Sequence, residues 1–204
     1  MNKSAKFWNR AAKRYIATPV RDTAAYEHKL ELTRKHLRPD MEVLEFGCGS
    51  GNTARLHTPL VKSYRAIDIS PKMIELGRAE GPIPGNMTME AADFDEIEIA
   101  PASLDAVLAL SVLHLVPDPQ ATITKVRDVL RPGGLFVTST ACLAPFRVLR
   151  KLAPLARGIG LIPPLAVFSD DRLRTMMTDA GFEIVEDWRA SDRAPLFLIA
   201  RSAP

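Results

Sequence analysis

Apolar positions recur along this chain with two different periods, and the switches between them divide it into alternating helices and strands. Phe7, Trp8, Ala11, Ala12, Tyr15 and Ile16 share one face of a predicted helix over 5–16, with Lys6, Arg10, Lys13 and Arg14 elsewhere around it. Thr18-Pro19 breaks that helix. A second is predicted from Thr23 to Leu37, with Tyr26, Leu30 and Leu37 on one face and Pro39 as its stop. The helical period then gives way to an apolar run, Met41–Phe46, as in a parallel strand covered on both faces.

The alternation continues to the end of the chain. Asn52–Leu60 predicts a short helix and Tyr64–Asp68 a second strand. Ser70 caps the next helix, with Pro71 at its first position. Gly81-Pro82-Ile83-Pro84-Gly85 is a turn before a third strand, Met87–Ala91. A fourth strand, Leu104–Leu113, precedes a helix from the Asp118 cap to Leu130, with Ile123, Val126 and Leu130 inward. Arg131-Pro132-Gly133-Gly134 turns into a fifth strand, Leu135–Ser139. Ser169 caps a helix through Asp179, and Phe182–Trp188 with Pro195–Arg201 predicts a closing antiparallel hairpin. No repeat or linker interrupts the 204 residues, so one domain is expected.

The chemistry collects where strands end. Glu45 stands at the end of the first strand, followed by Gly47, Gly49 and Gly51 around Cys48. Alternating glycines permit positive φ and leave no Cβ, so backbone N–H groups can approach a nucleotide-like ligand. A dinucleotide fingerprint would need a third glycine at Asn52, which counts against an NAD-linked oxidoreductase. Gly47-x-Gly49-x-Gly51 behind Glu45 instead resembles motif I of the class I S-adenosylmethionine-dependent methyltransferases. The segment from Ala66 to Met73 resembles that family's second motif. Asp93-Phe94, Ser111-Val112-Leu113-His114-Leu115 and the "LRPGG" turn resemble later motifs in register.

That resemblance implies a doubly wound α/β fold: a mostly parallel, seven-stranded Rossmann-like sheet in the order 3-2-1-4-5-7-6. It divides the domain into an N-terminal helical cap over 1–38 and a cofactor-binding core over 39–140. A variable acceptor-side segment, 141–169, and a helix with hairpin, 170–204, complete it. It implies S-adenosylmethionine as cofactor. Glu45, Gly47, Cys48, Gly49 and Gly51 would hold its methionine end, Asp68 its ribose, and Asp93 and Phe94 its adenine, with Ile69 also among the cofactor-binding residues. Ser111 would line the same site, with Tyr15 and His114 on the substrate side. A general base is needed only if the acceptor must lose a proton, and His114 is the candidate by position. The implied activity is methyl transfer to a small molecule. A non-catalytic cofactor-binding protein, or an enzyme acting on a lipid or other membrane-associated acceptor, are the alternatives.

Composition narrows this picture modestly. Two cysteines, Cys48 and Cys142, form neither a disulfide framework nor a metal cluster, and no metal is expected. No apolar run reaches membrane-spanning length and no hydrophobic leader opens the chain, so a cytoplasmic protein is expected. Net charge is +3, but residues 1–38 carry ten Lys/Arg against three Asp/Glu. Residues 141–169 add Arg147, Arg150, Lys151 and Arg157 with no acid, and Phe146–Leu152 is a predicted basic amphipathic helix. A solvated basic surface accounts for these two segments; they also suit a lid over an apolar acceptor, an anionic one included, and, as the less favoured reading, a peripheral membrane contact. No recognition domain for nucleic acid is present, and Ser111-Val112-Leu113-His114 stands where a nucleic-acid enzyme would carry an Asn/Asp-Pro-Pro-Tyr/Phe motif. The oligomeric state is open.

Overall fold

The computed structural model describes residues 3–142 and 165–203. Seven strands form one sheet in the order β3-β2-β1-β4-β5-β7-β6. They are β1 (Glu42–Phe46), β2 (Ser63–Asp68), β3 (Met87–Ala91), β4 (Leu104–Leu110), β5 (Leu130–Thr140), β6 (Phe182–Trp188) and β7 (Leu196–Ser202). The pairs β1–β2, β1–β4, β2–β3 and β4–β5 are parallel, and β7 runs antiparallel to both β5 and β6. This is the expected sheet, hairpin included.

Among the described residues six α-helices accompany it: α1 (Lys3–Ile16), α2 (Thr23–His36), α3 (Asn52–His57), α4 (Pro71–Ala79), α5 (Pro119–Val129) and α6 (Asp170–Asp179). Both faces of the sheet are covered, as the apolar strand sequences require. Leu44, Phe46, Val107 and Phe136 pack toward Ile123 and Val126 of α5 and Leu173 and Met177 of α6. Val43, Ala66, Leu108 and Val137 face the opposite way, toward Leu32 of α2, Ala54 of α3 and Ile74 of α4. The predicted caps hold: Ser70, Asp118 and Ser169 each accept a backbone N–H three residues on. Asp22 caps α2 in the same way.

Several boundaries differ from expectation for local reasons. α3 stops at His57 and continues as a 3-10 turn over Thr58–Leu60, where Pro59 removes a donor. α2 ends at His36, so Leu37 leaves the helical stripe, and Leu30, Leu32 and Thr33 are its buried residues. β4 ends at Leu110 rather than Leu113, because Ser111 turns to φ 63 and Leu113–Leu115 coil into a 3-10 turn. β5 begins at Leu130, not Leu135: Leu130 pairs with Leu104 and Leu135 with Ala106, so the Arg131–Gly134 segment bulges out within the strand. Arg131 pins that bulge, donating to Asp105 Oδ2 at 2.6 Å and Glu42 Oε2 at 2.9 Å. The predicted helix over Phe146–Leu152 lies outside the described residues.

Candidate cofactor and acceptor site

The carboxyl ends of β1, β2, β3, β4 and β5 open into a cavity of about 1250 Å³, roofed by α1 and α2. In open α/β sheets ligands gather at this end, where strand order reverses. Gly47, Gly49 and Gly51 all take positive φ, at 66°, 59° and 78°. A Cβ on Gly47 would lie 2.7 Å from Val112 Cγ2, and one on Gly51 2.8 Å from Met89 Cε. Backbone conformation therefore favours glycine at both positions, and at Gly47 the branched Val112 side chain leaves no room for a Cβ either, whereas the Met89 end beside Gly51 can move aside. Gly47, Cys48 and Gly49 line the cavity, whereas Gly51 is buried at the start of α3.

Two carboxylates flank this loop. Asp68, at the end of β2, accepts from Gly49 N at 2.9 Å with Oδ2 and from Ser70 N at 2.8 Å with Oδ1. Burial raises its carboxyl to about 6 against these two bonds, which favour the charged form. A carboxylate has more acceptor sites than two N–H groups use, so hydroxyls in the cavity can still be served. Glu45 is 2% exposed and takes a 2.7 Å bond from the Tyr64 hydroxyl. Burial raises it to about 7, with Tyr64 opposing and the nearby Asp68 adding. Tyr64 escaped the sequence reading because its partner stands on the neighbouring strand, two register positions away.

Asp93 and Phe94 follow β3 at the cavity wall. Phe94 stacks on Phe46 with ring centroids 4.3 Å apart, while Lys125 lies 5.1 Å from its centroid. Lys125 Nζ also donates to the carbonyls of Phe94, Asp95 and Ile97, fixing the loop from the α5 side. Ile69 and Ser111 line the cavity too, and Ser111 N donates to Ser139 O at 2.7 Å. Ser111 is one of two described non-glycine residues at positive φ. Such backbone strain concentrates at ligand sites.

From α1 come Trp8 and Tyr15, whose rings meet edge to face at 5.6 Å. Tyr15 is the closest roof to the glycine loop, its Cε1 4.0 Å from where a Gly49 Cβ would stand. Tyr15 as a whole stays half-exposed while part of its side chain lines the cavity. Burial, then the Asp68 charge, raises its hydroxyl. Asn9 joins α1 to the core, its Oδ1 accepting from Ser70 Oγ at 2.7 Å and Lys72 N at 3.1 Å. Asn9 carried no signal in sequence, since polar residues on a helix face are ordinary.

His114 is not among the residues lining the cavity, although Val112 and Leu115 on either side are. It sits in the 3-10 turn after β4, its Nδ1 without a hydrogen-bond partner among the described residues. Burial lowers its imidazole to about 4. His57, which the sequence did not single out, is fully buried beside the cavity and is also lowered to about 4. Both cysteines are free, and among the described residues no group of three or more His, Cys, Asp or Glu could hold a metal ion. No described helix is long and apolar enough to cross a membrane.

This sheet order is the fold of solved S-adenosylmethionine-dependent methyltransferases, and residues 44–138 match the family model described as "Methyltransferase domain". Among curated relatives, the 27-O-demethylrifamycin SV methyltransferase of Amycolatopsis mediterranei is 34% identical over 152 residues, 72% of this chain and 56% of that enzyme. Among solved structures, an S-adenosylmethionine-dependent methyltransferase from Mesorhizobium loti superposes with a TM-score of 0.72 at 24% identity, covering 88% of this chain and 99% of that one. The magnesium protoporphyrin IX methyltransferase of Synechocystis PCC 6803, solved with S-adenosylhomocysteine, gives 0.74 at 17% identity, covering 99% and 100%. The chain spans about half the length of the curated relatives it matches. The cofactor of this family is S-adenosylmethionine, and the residues present fit it: three positive-φ glycines, an acid on each side of them, and a cavity large enough.

Proposed function

We propose that this protein is a methyltransferase that moves the methyl group of S-adenosylmethionine to a small-molecule acceptor. The observation that carries the reading is Asp68 holding the Gly49 N–H beneath the cavity, with Glu45 buried on the other side of the same loop. In this reading the glycine loop and Cys48 surround the methionine end, and Glu45 faces its ammonium group. Asp68, beside Ile69, receives the ribose hydroxyls. Asp93 and the backbone at Phe94 meet the adenine, and Ser111 bounds the reacting end. The cofactor's sulfonium carries an already activated methyl group, so in-line displacement asks the protein mainly for alignment and exclusion of water. Tyr15 and Trp8 supply the roof that does so. His114 stays the candidate general base for an acceptor that must lose a proton, reaching the site only if its turn moves. O-methyltransferases among the relatives support a small molecule as acceptor.

Calorimetry tests the cofactor assignment. S-adenosylhomocysteine should bind at micromolar strength or tighter and NAD far more weakly. Asp68→Ala should weaken S-adenosylhomocysteine roughly 30- to 1000-fold, since hydrogen bonds to a charged group contribute about 1.5–3 kcal/mol each before compensation. An unchanged dissociation constant would move the ribose site elsewhere. Binding without turnover, over a panel of acceptors and labelled cofactor, would favour a non-catalytic binding protein.

A further inference from the structure

One end of the cavity is built by elements that the cofactor assignment does not use. Lys29 of α2 reaches it and donates to Ser139 Oγ, at 3.2 Å, near the end of β5. Ser139 pairs with Leu110 on β4 and with Phe197 on β7. In the sheet, β5 lies on the far side of β1 from β2 and β3, which carry Asp68 and lead into Asp93. Two strand spacings, roughly 10 Å, separate it from the glycine loop's strand. The neighbouring walls are Phe197 and Pro195 of the hairpin and Trp188, whose ring is 4.6 Å from that of His28.

The lysine is the anomaly there. Burial lowers its ammonium, the more distant Asp22 only partly opposes this, and among the described residues no carboxylate lies within ion-pair distance of Nζ. An ammonium group has three donors, and a neutral hydroxyl that is itself 3% exposed satisfies one. A partly desolvated cation without a counter-charge is unfavourable unless something brings one. The apolar surroundings would strengthen such a pairing.

Resting on the methyltransferase reading above, we infer that Lys29 and Ser139 form a carboxylate-binding subsite at the acceptor end of the cavity. The acceptor is then a carboxylate on an apolar body, its acid against Lys29 and Ser139 and its body against Trp188, Pro195 and Phe197. The cofactor's own methionine carboxylate is the other possible source of this chemistry. The two-strand separation of Ser139 from β1 favours the acceptor, and the two sources separate experimentally.

The full chain saturated with S-adenosylhomocysteine is titrated with 1-naphthoate and with its uncharged counterpart, 1-naphthamide. Naphthoate should bind at least about tenfold more tightly, as a charge-assisted hydrogen bond would require. Lys29→Met and Ser139→Ala should each bring the two probes toward equal affinity. Both variants should bind S-adenosylhomocysteine within about twofold of wild type, which also certifies their folding. Equal affinities in wild type, or no naphthoate binding, overturns the proposal. So does a Lys29→Met variant that loses S-adenosylhomocysteine affinity but keeps that for methylthioadenosine, which lacks the amino-acid end. A wild-type protein that binds no S-adenosylhomocysteine overturns the methyltransferase reading itself, and the naphthoate comparison on the free protein still decides the subsite.

Discussion

Glu45 concentrates the electrostatics of the site in one side chain. Its folded value of about 7 lies above the ordinary 4.5, so the folded protein holds this proton more tightly than the unfolded chain does. The free protein therefore gains stability as pH falls through 7 toward 4.5, and loses it as pH rises through that window. Asp68, raised from 3.8 to about 6, acts in the same direction at lower pH. Ligand binding should run the other way. A cofactor ammonium group prefers ionised Glu45, so S-adenosylhomocysteine affinity should fall below pH 7, by up to about tenfold per unit. Urea midpoints and calorimetric titrations at pH 6, 7 and 8 should slope oppositely. Glu45→Gln should flatten both trends except for the share due to Asp68. An affinity independent of pH in the wild type would remove the proposed contact between Glu45 and the ammonium group.

Between elements, α4 packs against the glycine loop at Gly77 with no room for a side chain. A Cβ built on Gly77 would lie 2.4 Å from the Ser50 carbonyl oxygen and 2.8 Å from Ser50 C and Cα. These atoms are backbone, so they cannot rotate aside. Gly77→Ala should thus separate helix from loop, at about 1–3 kcal/mol for overpacking of this kind. For a domain of about 200 residues this lowers Tm by roughly 2–12 °C. It should also weaken S-adenosylhomocysteine, because the moving atoms belong to the loop that lines the cavity. Gly85→Ala is the control: nothing stands within 4 Å of its Cβ, and Tm should hardly change. A Gly77→Ala protein as stable as wild type would show that α4 can slide without loss.

For the molecule as a whole, the question is what the basic N-terminal segment does. α1 directs Phe7, Trp8 and Tyr15 at the cavity and attaches to α4 through Asn9, so its aromatic residues already have a surface to cover. The core holds the proposed cofactor contacts without it. Deleting residues 1–20 should abolish methyl transfer while weakening S-adenosylhomocysteine by about tenfold or less, the loss expected for a partly exposed roof. The two are read by a turnover assay beside calorimetry. Sedimentation with anionic vesicles, at low and high salt, addresses membrane docking. Binding that needs 1–20 and fades with salt would reassign this segment to a lipid surface. Full turnover in the truncated protein would leave it a solvated basic flank.

The elements, their caps and the glycine loop were legible in sequence because each follows a local rule, whereas the sheet order came only through the family resemblance of the motifs. A residue's period decides which faces are buried, and Ser, Asp and Pro at fixed offsets decide where a helix starts. Alternating glycines permit positive φ, and all three of this loop adopt it. Asp68, Glu45 and Asp93 were legible for the same reason, as acids at strand ends. What tertiary structure decided is every contact whose partners are distant in the chain. Tyr64 on Glu45, Asn9 on Ser70, Lys125 under the Phe94 loop and Lys29 on Ser139 span 19 to 110 residues. The Arg131–Gly134 bulge and the break at Ser111 belong with them, because strand register depends on the neighbouring strand. His114 shows the limit most plainly: it follows Ser111 by three residues and stands close in the chain to cavity-lining Val112 and Leu115, but the 3-10 turn over Leu113–Leu115 leaves it off the lining. Local patterns set which segments form; only their packing sets which side chains meet.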